Sequence, residues 1–340
     1  MHVLGIETSC DETAAAVVET GTVVRSSVVA SQADLHSRYG GVVPELASRR
    51  HVERLLPVID LALEQAGLRW DGVDGIAVTY GPGLVGALAV GVAAAKSLAY
   101  ARGLALIGVN HLEGHVFANA IGHGTLPVPS LALIVSGAHT DLVLIEETHR
   151  YCTLGRTRDD AAGEAFDKVA RAMGLPYPGG PHLDRLGRRG DPRAVPLPLP
   201  MADRQGRGYD FSFSGLKTAA LRAMDAARDR GPDFLADLAA SLQRVVAESL
   251  VGTVVRAARE FAPAAILLAG GVAANSVLRE RLEADADRLG IPVRIPPPDL
   301  CTDNAAMIAA CGASRLARGE RAGWDLSVSS DLPLEAVAAR

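Results

Sequence analysis

Gly5-Ile6-Glu7-Thr8-Ser9-Cys10-Asp11-Glu12-Thr13 places a polar turn between two apolar runs. Residues 2–8 are apolar and β-branched, Ser9, Cys10, Asp11 and Glu12 interrupt them, and residues 13–18 resume the pattern. Such runs flanking a polar turn read as strand, turn and returning strand. The arrangement comes back about 125 residues later, with strands over 130–135 and 140–146 around Ser136-Gly137-Ala138-His139. Each hairpin is followed by a buried strand, a glycine turn and a helix. In the first half these are 74–80, Gly81-Pro82-Gly83 and 84–100; in the second they are 264–268, Gly270-Gly271 and 274–289. The repeat lies in the order of elements more than in the letters, and it predicts an α/β chain of two similar lobes, 1–125 and 126–340.

The remaining elements fill in around these. A third strand is expected over 22–30, and a helix over 44–66 opened by Pro44 and kinked by Pro57. A strand over 104–109 delivers the chain to His111. Near the end, a short extended piece at 293–295 precedes a helix over 302–318 with Thr302 as N-cap. Between 151 and 261 the second lobe is interrupted by a helical run over 160–173, a turn at Pro176-Tyr177-Pro178-Gly179-Gly180-Pro181, a proline-rich stretch over 192–200 and two further helices. Two lobes of this kind resemble the duplicated actin-like ATPase fold of sugar kinases and Hsp70-like proteins, here with a helical insert in the second lobe. In that superfamily the two polar hairpin turns face a nucleotide's phosphates across a cleft.

Composition limits the function classes. The chain has 340 residues, 49% of them apolar, with 35 glycines and only 4% aromatics, as expected of an α/β protein with many strand-to-helix turns. The first residues lack a basic n-region and carry acids by Glu7, so no signal peptide is expected. The most apolar run, over 81–95, is shorter than the ~20 residues a membrane span requires. Cys10, Cys152, Cys301 and Cys311 show no C-x-x-C spacing, which argues against a disulfide framework or a cysteine-zinc site and for a cytoplasmic location, with no membrane partner. The net charge of −5 is uneven. Residues 150–230 hold 15 Lys/Arg against 10 Asp/Glu, the rest 19 against 29. A basic insert on an acidic body suits a polyanion, or simply a solvated surface.

His111 and His115 carry the strongest chemical signal. Four residues apart on a helix, they lie about 40° apart in azimuth and can meet one metal ion; the alternative is a pair of surface or capping histidines. A peptidase zinc helix, H-E-x-x-H, needs its glutamate directly after the first histidine. Leu112 stands there, and Glu113, about 200° round from His111, points away. Asp303 is read as a carboxylate completing the metal set, or as an acid favoured at a helix start. In the first hairpin turn, Asp11 and Glu12 are candidates for a base or a metal-holding acid, with Thr8, Ser9 and Thr13 as hydroxyls suited to phosphate. Ser136-Gly137-Ala138-His139-Thr140 is the partner turn, and Gly270-Gly271-Val272-Ala273-Ala274-Asn275 opens a helix after a strand, where phosphates often lie. Asp167, Lys168 and Asp184 face either a cleft or water. No nucleophile stands out.

Taken in order, these motifs resemble those of the universal tRNA threonylcarbamoyladenosine-modifying transferases, TsaD in bacteria, once described as glycoprotein endopeptidases. The likeness covers essentially the whole chain: residues 5–13, Tyr80-Gly81-Pro82-Gly83, His111-x-x-x-His115, Ser136-Gly137, Gly163-Glu164-Ala165-Phe166-Asp167-Lys168, Gly179-Gly180-Pro181, residues 270–275 and Cys301-Thr302-Asp303-Asn304. The resemblance implies transfer of the threonylcarbamoyl group from threonylcarbamoyl-AMP to N6 of the adenosine beside the anticodon, in tRNAs reading codons that begin with A, with release of AMP. It implies one divalent ion, Fe2+ with Zn2+ or Mg2+ as alternatives, on His111, His115 and Asp303. It also implies an adenylate site from Ile134, Val135, Ser136, Gly137, Ala138, Asp167, Gly180, Asp184 and Asn275. Its implied partners are tRNA, an inactive paralogue of the same fold (TsaB-type) and a small ATPase (TsaE-type). Ala138 departs from the family, which usually has glycine there; a methyl group fits if φ is negative. The competing readings are a metallopeptidase on the histidine pair, a small-molecule kinase of the actin-like superfamily, and a non-catalytic paralogue, which would have no need of a metal set.

Overall fold

The computed structural model describes residues 1–201, 208–227 and 231–337. It divides into two compact units, Met1–Leu126 with Asp299–Arg340, and Pro127–Pro298.

The first unit opens with β1 (His2–Glu7), β2 (Glu12–Glu19) and β3 (Val23–Ser31), an antiparallel meander. A short helix α1 (Ala33–Ser37) and the long α2 (Pro44–Ala66) follow, then β4 (Gly75–Gly81), α3 (Val85–Arg102), β5 (Ala105–Asn110) and α4 (His111–Phe117). Pro57 lies inside α2, which continues through it as one helix. β4 and β5 join the sheet in parallel beside β1, giving the order β3-β2-β1-β4-β5. Side chains alternate across β1. Leu4 and Ile6 enter the core formed with Leu55, Val58, Ile59 and Ala62 of α2.

The second unit repeats this plan. β6 (Ser130–Val135), β7 (Thr140–Glu147) and β8 (Arg150–Arg156) form the antiparallel part. Four helices intervene, α5 (Ala162–Ala172), α6 (Gly179–Gly187), α7 (Ser214–Ala226) and α8 (Gly231–Phe261), before β9 (Ala265–Ala269), α9 (Ser276–Asp287) and β10 (Val293–Arg294). The sheet order β10-β9-β6-β7-β8 is that of the first unit, element for element, with β9 and β10 parallel to β6. The insert is shorter than expected, because residues 150–156 are the third strand of the meander. The stretch read as a turn before Pro181 opens helix α6, Pro181 being tolerated in its first turn. Arg204, Arg207, Arg228 and Arg230 of the basic segment lie outside the described residues. Among the described residues α8 alone is long and apolar enough to cross a membrane, and 78% of that window is buried inside the protein, the mark of a core helix.

The chain then returns to the first unit through α10 (Pro298–Cys301) and α11 (Ala305–Ala317). Residues 299–340 therefore do not stay with the second lobe, as a simple division at 126 would have it. α11 packs on the face of β1 opposite α2, and small residues let it come close. A Cβ at Gly5 would stand 2.2 Å from the Ala305 carbonyl oxygen, and one at Gly312 2.3 Å from the Ala77 Cβ. Beyond α11 the tail bonds to the sheet, with Ala322 N donating to the Leu106 oxygen and Ser329 N to that of Tyr80.

Candidate functional site

The carboxyl ends of β1, β4 and β5 bring a polar cluster together. Asn110 ends β5 and caps α4, its Oδ1 accepting from Leu112 N at 2.8 Å and Glu113 N at 3.4 Å. With the helix so started, His111 and His115 share one face, their ring centroids 4.7 Å apart. Nε2 of His111 lies 3.5 Å, and Nε2 of His115 3.1 Å, from the same Oδ1 of Asp303. Asp303 does not sit in a first helical turn. The N-cap of α11 is Asn304, whose Oδ1 accepts from Met307 N at 2.9 Å, so Thr302 is no cap and Asp303 stands in the turn before the helix. There its carboxylate faces α4, and 24% of the side chain stays exposed.

The three donors lie within 4.8 Å of one another. Ligands sharing an ion at about 2.0–2.2 Å sit roughly 3 Å apart, so the set fits a divalent metal with positions left open. Burial opposes charge on the groups nearest the centre, yet their mutual attraction prevails. His111, between Asp303 and Glu7, is held well above its ordinary pKa, and Asp303 beside His111 well below. All three ligands belong to the first unit; the metal set does not draw its carboxylate from the second.

Glu113 points away, as its azimuth requires. Wholly buried, it accepts from Arg315 Nη2 at 2.7 and 2.8 Å and from Nε at 3.1 Å. Gly114 lets α4 approach α11, since a Cβ there would meet Ile308 Cδ1 at 2.6 Å. With Leu112 buried, the helix offers no peptidase base.

The first hairpin turn lies alongside. Its hydroxyls are not free for phosphate: Thr8 Oγ1 donates to the Ala87 oxygen at 3.0 Å, Ser9 Oγ lies 3.2 Å from His111 Nδ1, and Thr13 Oγ1 lies 2.8 Å from His51 Nδ1. Asp11 and Glu12 remain half-buried. Glu12 Oε1 accepts from Ser31 Oγ at 2.9 Å, while Oε2 is buried without a partner. Burial, with the charges of Asp11 and Asp303, pushes Glu12 up to about 7; burial also raises Asp11.

In the second unit, Ser136 Oγ accepts from Ala138 N at 3.3 Å and His139 N at 3.1 Å, closing the turn. The turn is stapled to the start of α5: Ala162 N donates to Thr140 Oγ1 at 3.0 Å and Gly163 N to the Ser136 oxygen at 3.2 Å. A Cβ at Gly163 would stand 2.5 Å from that oxygen, so only glycine allows this approach. Ala138 is exposed and is not among the positive-φ residues, so its methyl is unstrained. Ile134 and Val135 have fully buried side chains in the core. Asp167, Asp184 and Asn275 tie helix starts together. Asp167 Oδ1 accepts from Gly179 N at 2.7 Å, and Asp184 Oδ1 from Ser276 Oγ at 2.6 Å. Asn275 caps α9 through Leu278 N at 3.0 Å and donates to Gln243 Oε1 at 2.7 Å. A Cβ at Gly180 would meet open space. Lys168 is neutralised by Asp160 at 3.0 Å and Glu164 at 2.6 Å.

The model of the tRNA N6-adenosine threonylcarbamoyltransferase family (TsaD) matches residues 23–310. Curated transferases of that name from Moorella thermoacetica and Geobacillus kaustophilus are each 54% identical, over 98% of this chain and 97% of theirs. The chain belongs to this family. Solved structures share its fold at much lower identity. HypF from T. kodakarensis gives a TM-score of 0.62 at 16% identity, over 93% of this chain and 48% of that one. The ROK hexokinase of Thermus thermophilus gives 0.52 at 16%, over 94% and 100%. The architecture is thus the actin-like one its duplicated sheets suggest.

Two residues beside the site, Glu7 and Arg315, were given no role from the sequence, although Glu7 stands inside the first quoted motif. Glu7 ends a strand whose other residues are apolar or His2, and Arg315 interrupts an Ala-rich helix. A charge inside an apolar element must find a partner when buried, and that was the available signal.

Proposed function

We propose that the protein transfers the threonylcarbamoyl group from threonylcarbamoyl-AMP to N6 of the adenosine adjacent to the anticodon, in tRNAs reading codons that begin with A, releasing AMP. Near full-length likeness to curated transferases carries this reading. The donor is a mixed carbamic–phosphoric anhydride, already activated, so no enzyme nucleophile is required. A divalent ion on His111, His115 and Asp303 would supply Lewis acidity toward donor oxygens; two imidazoles and one carboxylate with open positions favour Fe2+ over Mg2+. The turn at Gly137 and the helix start at Gly180 offer backbone N–H groups to the adenylate, with Asp167 fixing the start of α6 and Asp184 and Asn275 that of α9. Glu12, near neutrality, is suited to accept the proton of the incoming amine, with Asp11 beside it.

The test incubates the protein with threonylcarbamoyl-AMP and unmodified tRNA and looks for the modified nucleoside by mass. It should appear, with AMP. None forming, even with the TsaB-type paralogue and TsaE-type ATPase supplied, would sink the reading. The proposal includes these partners and a cytoplasmic location; the absence of a disulfide among Cys10, Cys152, Cys301 and Cys311 agrees with a reducing compartment.

The insert presents Arg185, Arg188, Arg189 and Arg193 in the exposed tract from α6 onward. Pairing of these guanidiniums with RNA phosphates would make binding steeply salt-dependent. Arg185, Arg189 and Arg193 changed together to Gln should weaken tRNA binding and flatten the slope of log K against log salt, by roughly one unit for each phosphate no longer neutralised. An unchanged slope would assign RNA binding elsewhere.

A further inference from the structure

We propose that Glu7 is a positioning residue for the metal centre: it fixes the ring of His111 so that Nε2 is presented to the ion, and thereby sets the affinity of the site. Glu7 ends β1 and is wholly buried. Parallel pairing of Ile6 with Val78 sets it beside Thr79 of β4, and β5 delivers His111 one strand further on. Three donors converge on its carboxylate. Ser9 N donates to Oε1 at 2.5 Å, Thr79 Oγ1 donates to Oε2 at 2.6 Å, and His111 Nδ1 lies 3.0 Å from Oε2.

Only an ionised carboxylate, which accepts at both oxygens, satisfies all three. With the Nδ1 proton held by Glu7, Nε2 is the nitrogen left to face Asp303 and an ion. A carboxylate–histidine–metal relay of this kind orients the ring and raises its basicity. His115 has no such support, for its Nδ1 is buried without a partner, so orientation of the pair depends on the His111 side.

Glu7→Gln has the same shape and one acceptor fewer. If its carbonyl faces Thr79 and His111, its NH2 opposes the Ser9 N–H. If it turns over, the NH2 donates to His111 Nδ1 and drives the ring proton to Nε2, where a ligand lone pair is needed. Both arrangements cost metal affinity.

This inference rests on the metal reading of His111, His115 and Asp303, so the wild-type protein, stripped by chelator, is first titrated with Co2+ and followed by its visible absorption. Failure of the wild type to bind would overturn that reading itself. Glu7→Gln, shown folded by thermal denaturation in chelator, should bind Co2+ roughly 10–100-fold more weakly. In the zinc-loaded wild type the His111 Nδ1–H should give a downfield, slowly exchanging proton resonance that the variant lacks. Wild-type binding with a variant affinity within threefold of it would overturn the role of Glu7 alone. Should Glu7→Gln fail to fold, Thr79→Val decides: it keeps the charge and removes one orienting donor. A loss of threefold or more in Co2+ affinity supports the proposal, and an unchanged affinity overturns it.

Discussion

Arg315→Met should destabilise the protein by about 3–5 kcal/mol, because it strands a buried carboxylate. Glu113 is wholly buried and its two oxygens accept three bonds from the guanidinium, while Glu320 Oε2 accepts a fourth from Arg315 Nη1 at 2.5 Å. Without Arg315 the buried carboxylate loses the guanidinium that offsets its burial, beside His149 and Cys311, whose donor atoms lie within 4.8 Å of it. The double variant Glu113→Leu/Arg315→Met removes both charges and should recover most of the loss, since buried pairs are replaced by apolar groups at little cost. Urea unfolding of the wild type, the single variant and the double variant measures this. A single-variant loss under about 1 kcal/mol, or no recovery in the double variant, would show that the pair does not hold α4 on α11. The consequence for function is geometric. α4 carries both histidines and α11 follows directly from Asp303, so the clamp sets the span of the metal set.

The duplicated plan was legible because each half advertises it twice, as a hairpin with a polar turn and as a strand running into a glycine turn. The spacing of His111 and His115 gave the metal face, and the position of Glu113 excluded a peptidase base. What the sequence hid was long-range. Nothing local says that residues after 298 fold back on the first unit, so Asp303 looked like a contribution from the second lobe. The strand Arg150–Arg156 has an arginine at each end and a mixed Tyr-Cys-Thr-Leu-Gly run between them, and so resembled the start of the basic insert. In the second unit Gly179, Gly180 and Pro181 read as a turn, yet Gly179 is glycine for packing: a Cβ there would stand 2.4 Å from that of Ala170. Ile134 and Val135, assigned to ligand through resemblance, have side chains buried in the core. Their strand places the turn that follows, and the turn has the exposed backbone.

Glu12→Gln should separate stability from activity in opposite directions. Glu12 pairs with Ser31 across β2 and β3, yet only one of its oxygens is bonded. Burial first, then the charges of Asp11 and Asp303, raise it to about 7 from an ordinary 4.5. A raised folded pKa contributes stability that is complete below the unfolded value and is lost as pH climbs through about 7. The shift corresponds to about 3 kcal/mol of strain in the ionised state. Glutamine never ionises. With metal chelated, Glu12→Gln should therefore be more stable than wild type at pH 8, by up to about 3 kcal/mol, and the two should converge near pH 4.5. Transfer should fall by roughly 10²–10⁴, the usual worth of a positioned general base, and the acid limb of the rate profile should vanish. A gain in stability without loss of transfer would mean that Glu12 is strained for some purpose other than proton acceptance, and Asp11→Asn would then be the variant expected to lose the limb. Equal stability at both pH values would mean that Glu12 is not held near neutrality, and so has no advantage over Asp11 as the base. The first hairpin turn would then serve the reaction through its placement against His111 alone, by the contact of Ser9 with that ring.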